Sequence, residues 1–177
     1  MELVARHRFE ASTARVIEAL ACPAYAAHLA ASHSFFAQVE PLEQLERAHG
    51  WQRRVHYRAQ PFITRLGVFS LPTEWFAWEE HSTYEAGLLQ FENVPLLASV
   101  RDKVINRGAM RFAQDAYGTT REAHFEIDFR VAAMYRPLKE MALAMVRRQL
   151  IGALDEEAAL LAGWLARADS PTDSVAA

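Results

Sequence analysis

Cysteine is almost missing from this chain. Cys22 is the only one, so no disulfide can form within the chain and the fold must rest on buried apolar area. Cys22 stands before Pro23 with no base beside it in sequence, which leaves thiol catalysis without support. Long hydrophobic runs are missing too. No stretch approaches the roughly 18 uninterrupted apolar residues of a membrane span, and charged residues interrupt the first nine positions, so they do not read as a signal peptide. A cytoplasmic location without integral membrane association is therefore expected. Charge of one sign is also scarce: the net value is −3, which gives no general attraction to phosphate backbones, and no nucleic-acid partner is expected. The Gly-x-Ser-x-Gly elbow, the phosphate-cradling glycine loop and the dinucleotide fingerprint are absent. So are His-Glu-x-x-His and Cys-x-x-Cys, and His28 and His33, five apart, share no helix face. No metal and no cofactor is expected.

What is present is bulk. Of 177 residues, 51% are hydrophobic, and 10 Phe, 5 Tyr and 4 Trp suffice for one large interior. One domain over residues 1–167 is expected. The remaining 168–177 are small and polar with a proline and no periodicity, and read as a disordered tail.

Period-two alternation marks most of the chain as strand. Leu3, Ala5, His7 and Phe9 alternate with Glu2, Arg6, Arg8 and Glu10, so one face is wet and His7 points inward. Ser12 is a candidate N-cap for a helix carrying Val16, Ile17 and Leu20, and Pro23 suits the first turn of a second short helix with Tyr25 and Leu29. A weaker strand is expected from Phe35 to Glu46, with Pro41 at a bulge or edge. Trp51, Arg53, Val55, Tyr57 and Ala59 then form the inner set of a strand in which Arg53 breaks the apolar rule. Residues 61–72 fit neither period and read as a flap. Strands are expected at about 74–84 and 87–94, with Phe76, Trp78, Leu89 and Phe91 as bulk. A last pair, Val104 to Gln114 and Thr120 to Val131, is joined where Gly118 suits a positive φ.

The wet-face charges suggest an order for these strands. Arg107 and Arg111, then Glu122, Glu126 and Asp128, then Arg6 and Arg8 place an acidic row between two basic ones if the last strand lies between its hairpin partner and the first strand. Cross-strand pairs of this kind stabilise by roughly 0.2–1 kcal/mol each.

A helical pattern from about Tyr135 to Arg167 follows, with Pro137 in its first turn and Leu138, Met141, Ala142, Met145, Leu150, Leu154, Leu161 and Leu165 along it. Gly152 and Gly163 inside it suggest close packing or a bend. Thirty residues of helix are on the order of 45 Å long, which demands a large partner surface.

The order strand, two short helices, six antiparallel strands and long C-terminal helix resembles the helix-grip fold of the START-like superfamily, which includes birch-pollen-allergen-type proteins and polyketide cyclases. Phe9 to Leu20 is similar to that family's first strand running into its first helix, and the stretch from Gln60-Pro61 to Trp75 with the Trp164-Leu165 ending resembles an uncharacterised bacterial branch. The resemblance implies an α+β fold with a curved antiparallel sheet of about seven strands gripping the helix. It also implies a lipid, polyketide, hormone or other hydrophobic compound between the two, and it transfers no catalytic residue.

The residues expected at such a site are His7, Val55, Tyr57, Phe91, Asn106, Met110, Phe112, Phe125, Ile127, Phe129, Met141 and Met145. Thioethers among aromatic rings make an adaptable lining, and the same residues would equally serve a filled core. His7 is either a proton donor to a ligand or a hydrogen-bonded core histidine. Asn106 either orients a ligand carbonyl or bonds a backbone group. Arg53 either meets an acidic ligand group or snorkels to the rim from an edge strand. Glu79 and His81 share a strand face, as an acid–base pair or a solvated one. Binding of a hydrophobic small molecule or lipid is the first functional expectation. The alternatives are a cyclase or aromatase type of enzyme, with His7 or Asn106 assisting proton transfer, and a protein-interaction module with an exposed apolar patch from Phe62 to Leu71.

Overall fold

The alternation at the start of the chain becomes β1 (Glu2–Phe9), with Leu3 and Phe9 buried and the charged positions outside. Ser12 caps α1 (Thr13–Ala21) through its hydroxyl, which accepts from the Arg15 N–H at 3.4 Å, and Pro23 opens α2 (Pro23–Ser32). Then come β2 (Phe36–Arg47), β3 (Gly50–Ala59) and the two-residue strands β4 (Arg65–Leu66) and β5 (Phe69–Ser70). A 3₁₀ turn (Thr73–Phe76) leads into β6 (Ala77–Glu85) and β7 (Leu88–Pro95). A single turn of helix, α3 (Ala98–Arg101), precedes β8 (Val104–Asp115), β9 (Gly118–Phe129) and the long α4 (Arg136–Asp169). The computed structural model describes residues 1–61, 64–66, 69–70, 72–130 and 136–169. Phe62, Ile63, Val68 and Leu71 of the expected flap and patch, and 170–177 of the expected tail, lie outside the described residues, as does Val131 at the expected end of β9. Helix α4 runs two residues into the segment read as tail.

Seven strands form one antiparallel sheet in the order β1-β9-β8-β7-β6-β3-β2, and β4 and β5 pair separately. The charge pattern is realised in this order. On the outer face Glu122 bonds Arg6 of β1, and Glu126 bonds Arg107 of β8 at 2.8 Å. Asp128 departs from it: its partner, at 2.7 Å, is Lys139 of α4. The pairing of β2 with β3 shifts register between Pro41 and Glu43, because proline supplies no ladder N–H.

The β8–β9 hairpin closes over Ala116 and Tyr117, where the Asp115 carboxylate accepts from the Tyr117 N–H at 2.7 Å. Gly118 follows with φ 139°, and a Cβ there would sit 2.1 Å from the carbonyl oxygen of Phe9. Only glycine meets both conditions. Gly152 and Gly163 have a different character: a Cβ on either would meet no atom within 4 Å, so neither serves close packing.

The helices α1 and α2 and strand β1 pack against the C-terminal half of α4. Phe9, Val16, Ile17, Tyr25 and Leu29 close there on Leu154, Leu161 and Leu165. Trp164 stacks on His28 with ring centres 5.4 Å apart and meets Tyr25 edge-on at 5.7 Å. The N-terminal half of α4 is different, for it spans the concave face of the sheet without filling the space beneath. Among the described residues no helix is long and apolar enough to cross a membrane.

Candidate functional site between sheet and helix

Between the sheet and α4 lies a cavity of about 590 Å³. Strand periodicity sets one wall. Val55, Tyr57 and Ala59 of β3, Trp78 of β6, Leu89 and Phe91 of β7, Val104 and Met110 of β8, and Phe125, Ile127 and Phe129 of β9 all point inward. Helical periodicity sets the other, through Leu138, Ala142, Val146, Leu150, Ala153 and Leu154. The helical lining runs from Leu138 to Glu157, roughly 28 Å of axis at ~1.5 Å per residue. Exposed Trp75 and Lys103 also border the space, which therefore reaches the surface at that end. The Tyr57 and Trp78 rings stack 5.6 Å apart at 14°, with Phe36 beside Tyr57 at 5.2 Å, so part of the wall is flat and aromatic.

Two charged clusters are set into this apolar wall. At the closed end, Arg121 of β9 is 1% exposed and its guanidinium contacts the Glu157 carboxylate at 2.6 Å. It also donates to His7 Nδ1 at 3.1 Å, while His7 Nε2 donates to Asp155 at 3.0 Å. The face of Phe9 lies under the guanidinium at 5.3 Å. Tyr25 reaches the same place, its hydroxyl 3.4 Å from the Glu157 carbonyl oxygen. Burial, then the Glu157 charge, push its phenol well above the ordinary range, so it stays protonated and serves as a donor.

The second cluster is Arg53 with Glu80, 3.5 Å apart. Strand β3 lies between β2 and β6, so Arg53 is not on an edge and does not snorkel to the rim. It stays in the wall because the Leu20 carbonyl and the Ser82 hydroxyl accept from it and Trp51 underlies it at 5.0 Å. Burial and the nearby Glu80 charge likewise raise the Tyr57 phenol.

No protein-family model and no curated protein matches the sequence. Solved structures do. The Thermus thermophilus protein TTHA0849 is similar over 93% of this chain and 99% of its own, with a TM-score of 0.65 and 13% identity. The Zhui aromatase/cyclase of a Streptomyces species superposes over 94% of both chains, with a TM-score of 0.60 and 17% identity. A STAR-related lipid transfer protein from Xanthomonas axonopodis is similar over 90% of this chain and 85% of its own, at 0.58 and 18%. The chain has the helix-grip fold.

Within the helix grip, eight of the residues expected from sequence line the cavity: Val55, Tyr57, Phe91, Asn106, Met110, Phe125, Ile127 and Phe129. Four do not. His7 sits behind Arg121 and is used up by Arg121 and Asp155. Phe112 is buried beside Tyr84, with ring centres 6.5 Å apart, off the cavity wall. Met141 and Met145 face out, 44% and 37% exposed, because the lining stripe of α4 runs through Leu138, Ala142 and Val146. Glu79 and His81 lie 3.3 Å apart on the outer sheet face, where Arg54 also holds Glu79 at 2.8 Å. They form a solvated ion cluster. His33 is buried, donating to the Ala153 carbonyl at 2.9 Å and accepting from the Phe35 N–H at 3.0 Å.

Arg121, Glu157, Glu80, Asn93 and Tyr25 line the cavity without having been singled out from sequence. A signal existed for Arg121. It shares the inward parity of Phe125, Ile127 and Phe129, and an arginine there requires a buried counter-ion.

Proposed function

We propose that this protein binds a hydrophobic small molecule or lipid between the sheet and α4. The observation that carries this reading is the unfilled apolar space of about 590 Å³, within the 300–1,000 Å³ typical of small-molecule sites. Protein interiors are close-packed, so a void of this size is not what a core built only for stability contains. Affinity would come mainly from apolar area removed from water, about 25 cal/mol per Å². The neighbours whose names state a role, an aromatase/cyclase and a lipid transfer protein, agree with a ligand in this place and differ on its fate.

The direct test is native mass spectrometry of the protein purified from its own host, followed by denaturing extraction. A discrete apolar compound released on denaturation supports the reading. A clean apo mass, with no thermal shift across a panel of lipids and aromatic polyketides, overturns it.

Aromatase or cyclase activity is the second reading, favoured by one observation: Tyr25, held protonated, stands beside Glu157 on the cavity wall. The two readings separate on Tyr25→Phe. A carrier would keep its ligand affinity within roughly threefold, the scale of one weak neutral hydrogen bond. An enzyme using that proton would lose about 10²–10⁴ in turnover.

A further inference from the structure

The ionised groups set into the cavity wall have counter-ions within the protein. Arg53 faces Glu80, Arg121 faces Glu157, and Lys139 is held by Asp128. Lys103, at the rim, is exposed to water. Two neutral polar side chains on the wall lack any such provision. The Oδ1 atoms of Asn93 and Asn106 are both out of contact with water and accept no hydrogen bond, although both residues line the cavity.

Their positions make them a single feature. The registered pairs of β7 with β8 run from Leu88 and Arg111 to Glu92 and Arg107, and there the ladder stops. Asn93 and Asn106 are the next residues on the two strands beyond that last pair. Both side chains share the inward parity of Phe91 and Met110, so the two amides lie on one face of the sheet, just past the point where the ladder ends. Phe91 lies two residues before Asn93 and Ile127 pairs with Asn106, while Glu80, the counter-ion of Arg53, pairs with Asn93 from β6. A buried amide oxygen without a donor costs stability, and a leucine in the same place would not incur that cost. Residues that break the local rule without a structural return are found at functional sites.

Resting on the binding reading above, we propose that Asn93 and Asn106 are the polar anchor of the bound molecule, and that this molecule is neutral and carries a hydroxyl or keto oxygen. A half-turn about χ2 exchanges amide oxygen and nitrogen, so the pair presents donors and acceptors as the ligand requires. A hydroxyl can donate to one amide and accept from the other; a keto oxygen accepts from either. A carboxylate would lose its hydration against two neutral amides and the already paired cations of the wall. A plain hydrocarbon would leave both amides unmet.

Three probes of one shape test this at pH 7: 2-naphthol, which is neutral there, naphthalene and 2-naphthoate. Calorimetry on the full chain should show 2-naphthol bound about 10-fold more tightly than either of the others, the scale of one or two neutral hydrogen bonds. Asn93→Leu with Asn106→Leu should abolish that preference while naphthalene affinity holds or improves. The ligand-free double variant should melt at the same temperature as the wild type or higher, a readout that separates an anchor from a structural role. A preference that survives in the double variant, or a melting point several degrees lower, overturns the proposal. Saturable naphthalene binding without preference for 2-naphthol in the wild type overturns the anchor alone and leaves the cavity reading standing. Absence of saturable binding by any of the three overturns both.

Discussion

Arg121 is buried to 1% exposure among Glu157, His7 and Phe9, and each neighbour fixes a different property. Glu157 supplies the counter-charge. His7 accepts the second N–H, which requires its neutral form with the proton on Nε2, directed at Asp155. Phe9 offers its ring face to the cation. Removing only one ion leaves the other desolvated and alone. Glu157→Ala should therefore lower unfolding free energy in urea by about 3–5 kcal/mol, and Arg121→Met combined with Glu157→Leu should recover most of that loss. Equal loss in the single and double variants would show that the pair holds the fold by packing and not by charge. Arg121 is not among the residues expected at the site from sequence, although its inward parity marks it, and its counter-ion carries no such mark. Glu157 comes 36 positions later, on a helix whose apolar side chains surround its axis, so that Met141, Met145 and Ile151 are exposed while Leu138 and Val146 line the cavity. Such a helix carries no face that periodicity can identify, and the two methionines were assigned to the wrong one for that reason.

Among the elements, the strands were the most legible, because a sheet with one wet face writes its register into alternate residues. The acidic row of β9 between the basic rows of β8 and β1 even fixed the neighbours. Irregular backbone left no such trace: the 3₁₀ turn at Thr73–Phe76 replaced the expected beginning of β6. Gly108 of β8 shows how tightly the regular part is assembled. A Cβ there would lie 2.0 Å from the His124 carbonyl oxygen and 2.7 Å from the Phe91 ring. Gly108→Ala should lower stability by about 1–3 kcal/mol in chemical denaturation, and the displaced Phe91 ring should weaken binding of an apolar probe as well. The contact of β9 with α4 carries a pH dependence. Lys139 holds the Asp128 carboxyl below its ordinary value of 3.8. A depressed carboxyl stabilises the fold above its unfolded pKa and loses that contribution as pH falls through the folded one. Amide exchange near the start of α4 should therefore be unchanged between pH 7 and 5 relative to the rest of the helix, and should accelerate selectively below about pH 4. Asp128→Asn should remove the acid step.

For the whole molecule, the combination of a seven-stranded sheet and a 34-residue helix follows from composition and order of elements, whereas the space between them does not. Val55, Phe91 and Ile127 would read identically in a filled core. Ala142 is the position to exploit, since it lies on the lining stripe and is small. Ala142→Phe places a ring into open volume, and should reduce affinity for an apolar probe at least about 10-fold while leaving the melting temperature unchanged or raised, as cavity filling does. A melting temperature lowered by several degrees would mean that the space is already occupied by packing atoms.

The polar ties of α4 to the rest of the fold are unevenly placed. Ala153, Asp155, Glu156 and Glu157 bond His33, His7, Ser34 and Arg121 within little more than one turn, whereas the described residues of the first two turns have one tie, Lys139 to Asp128. In mechanical terms the helix is a beam clamped over its rear half and pinned near its tip. Such a beam yields at the tip first, so the vessel it covers has an adjustable volume. On the proposed binding reading, larger guests should be accommodated by lifting the front of the helix while the sheet keeps its registration. Besides apolar packing, the one polar tie that resists this lift among the described residues is the Lys139–Asp128 ion pair near the protein surface, which added salt weakens. Exchange of the proposed neutral guest should therefore quicken with ionic strength.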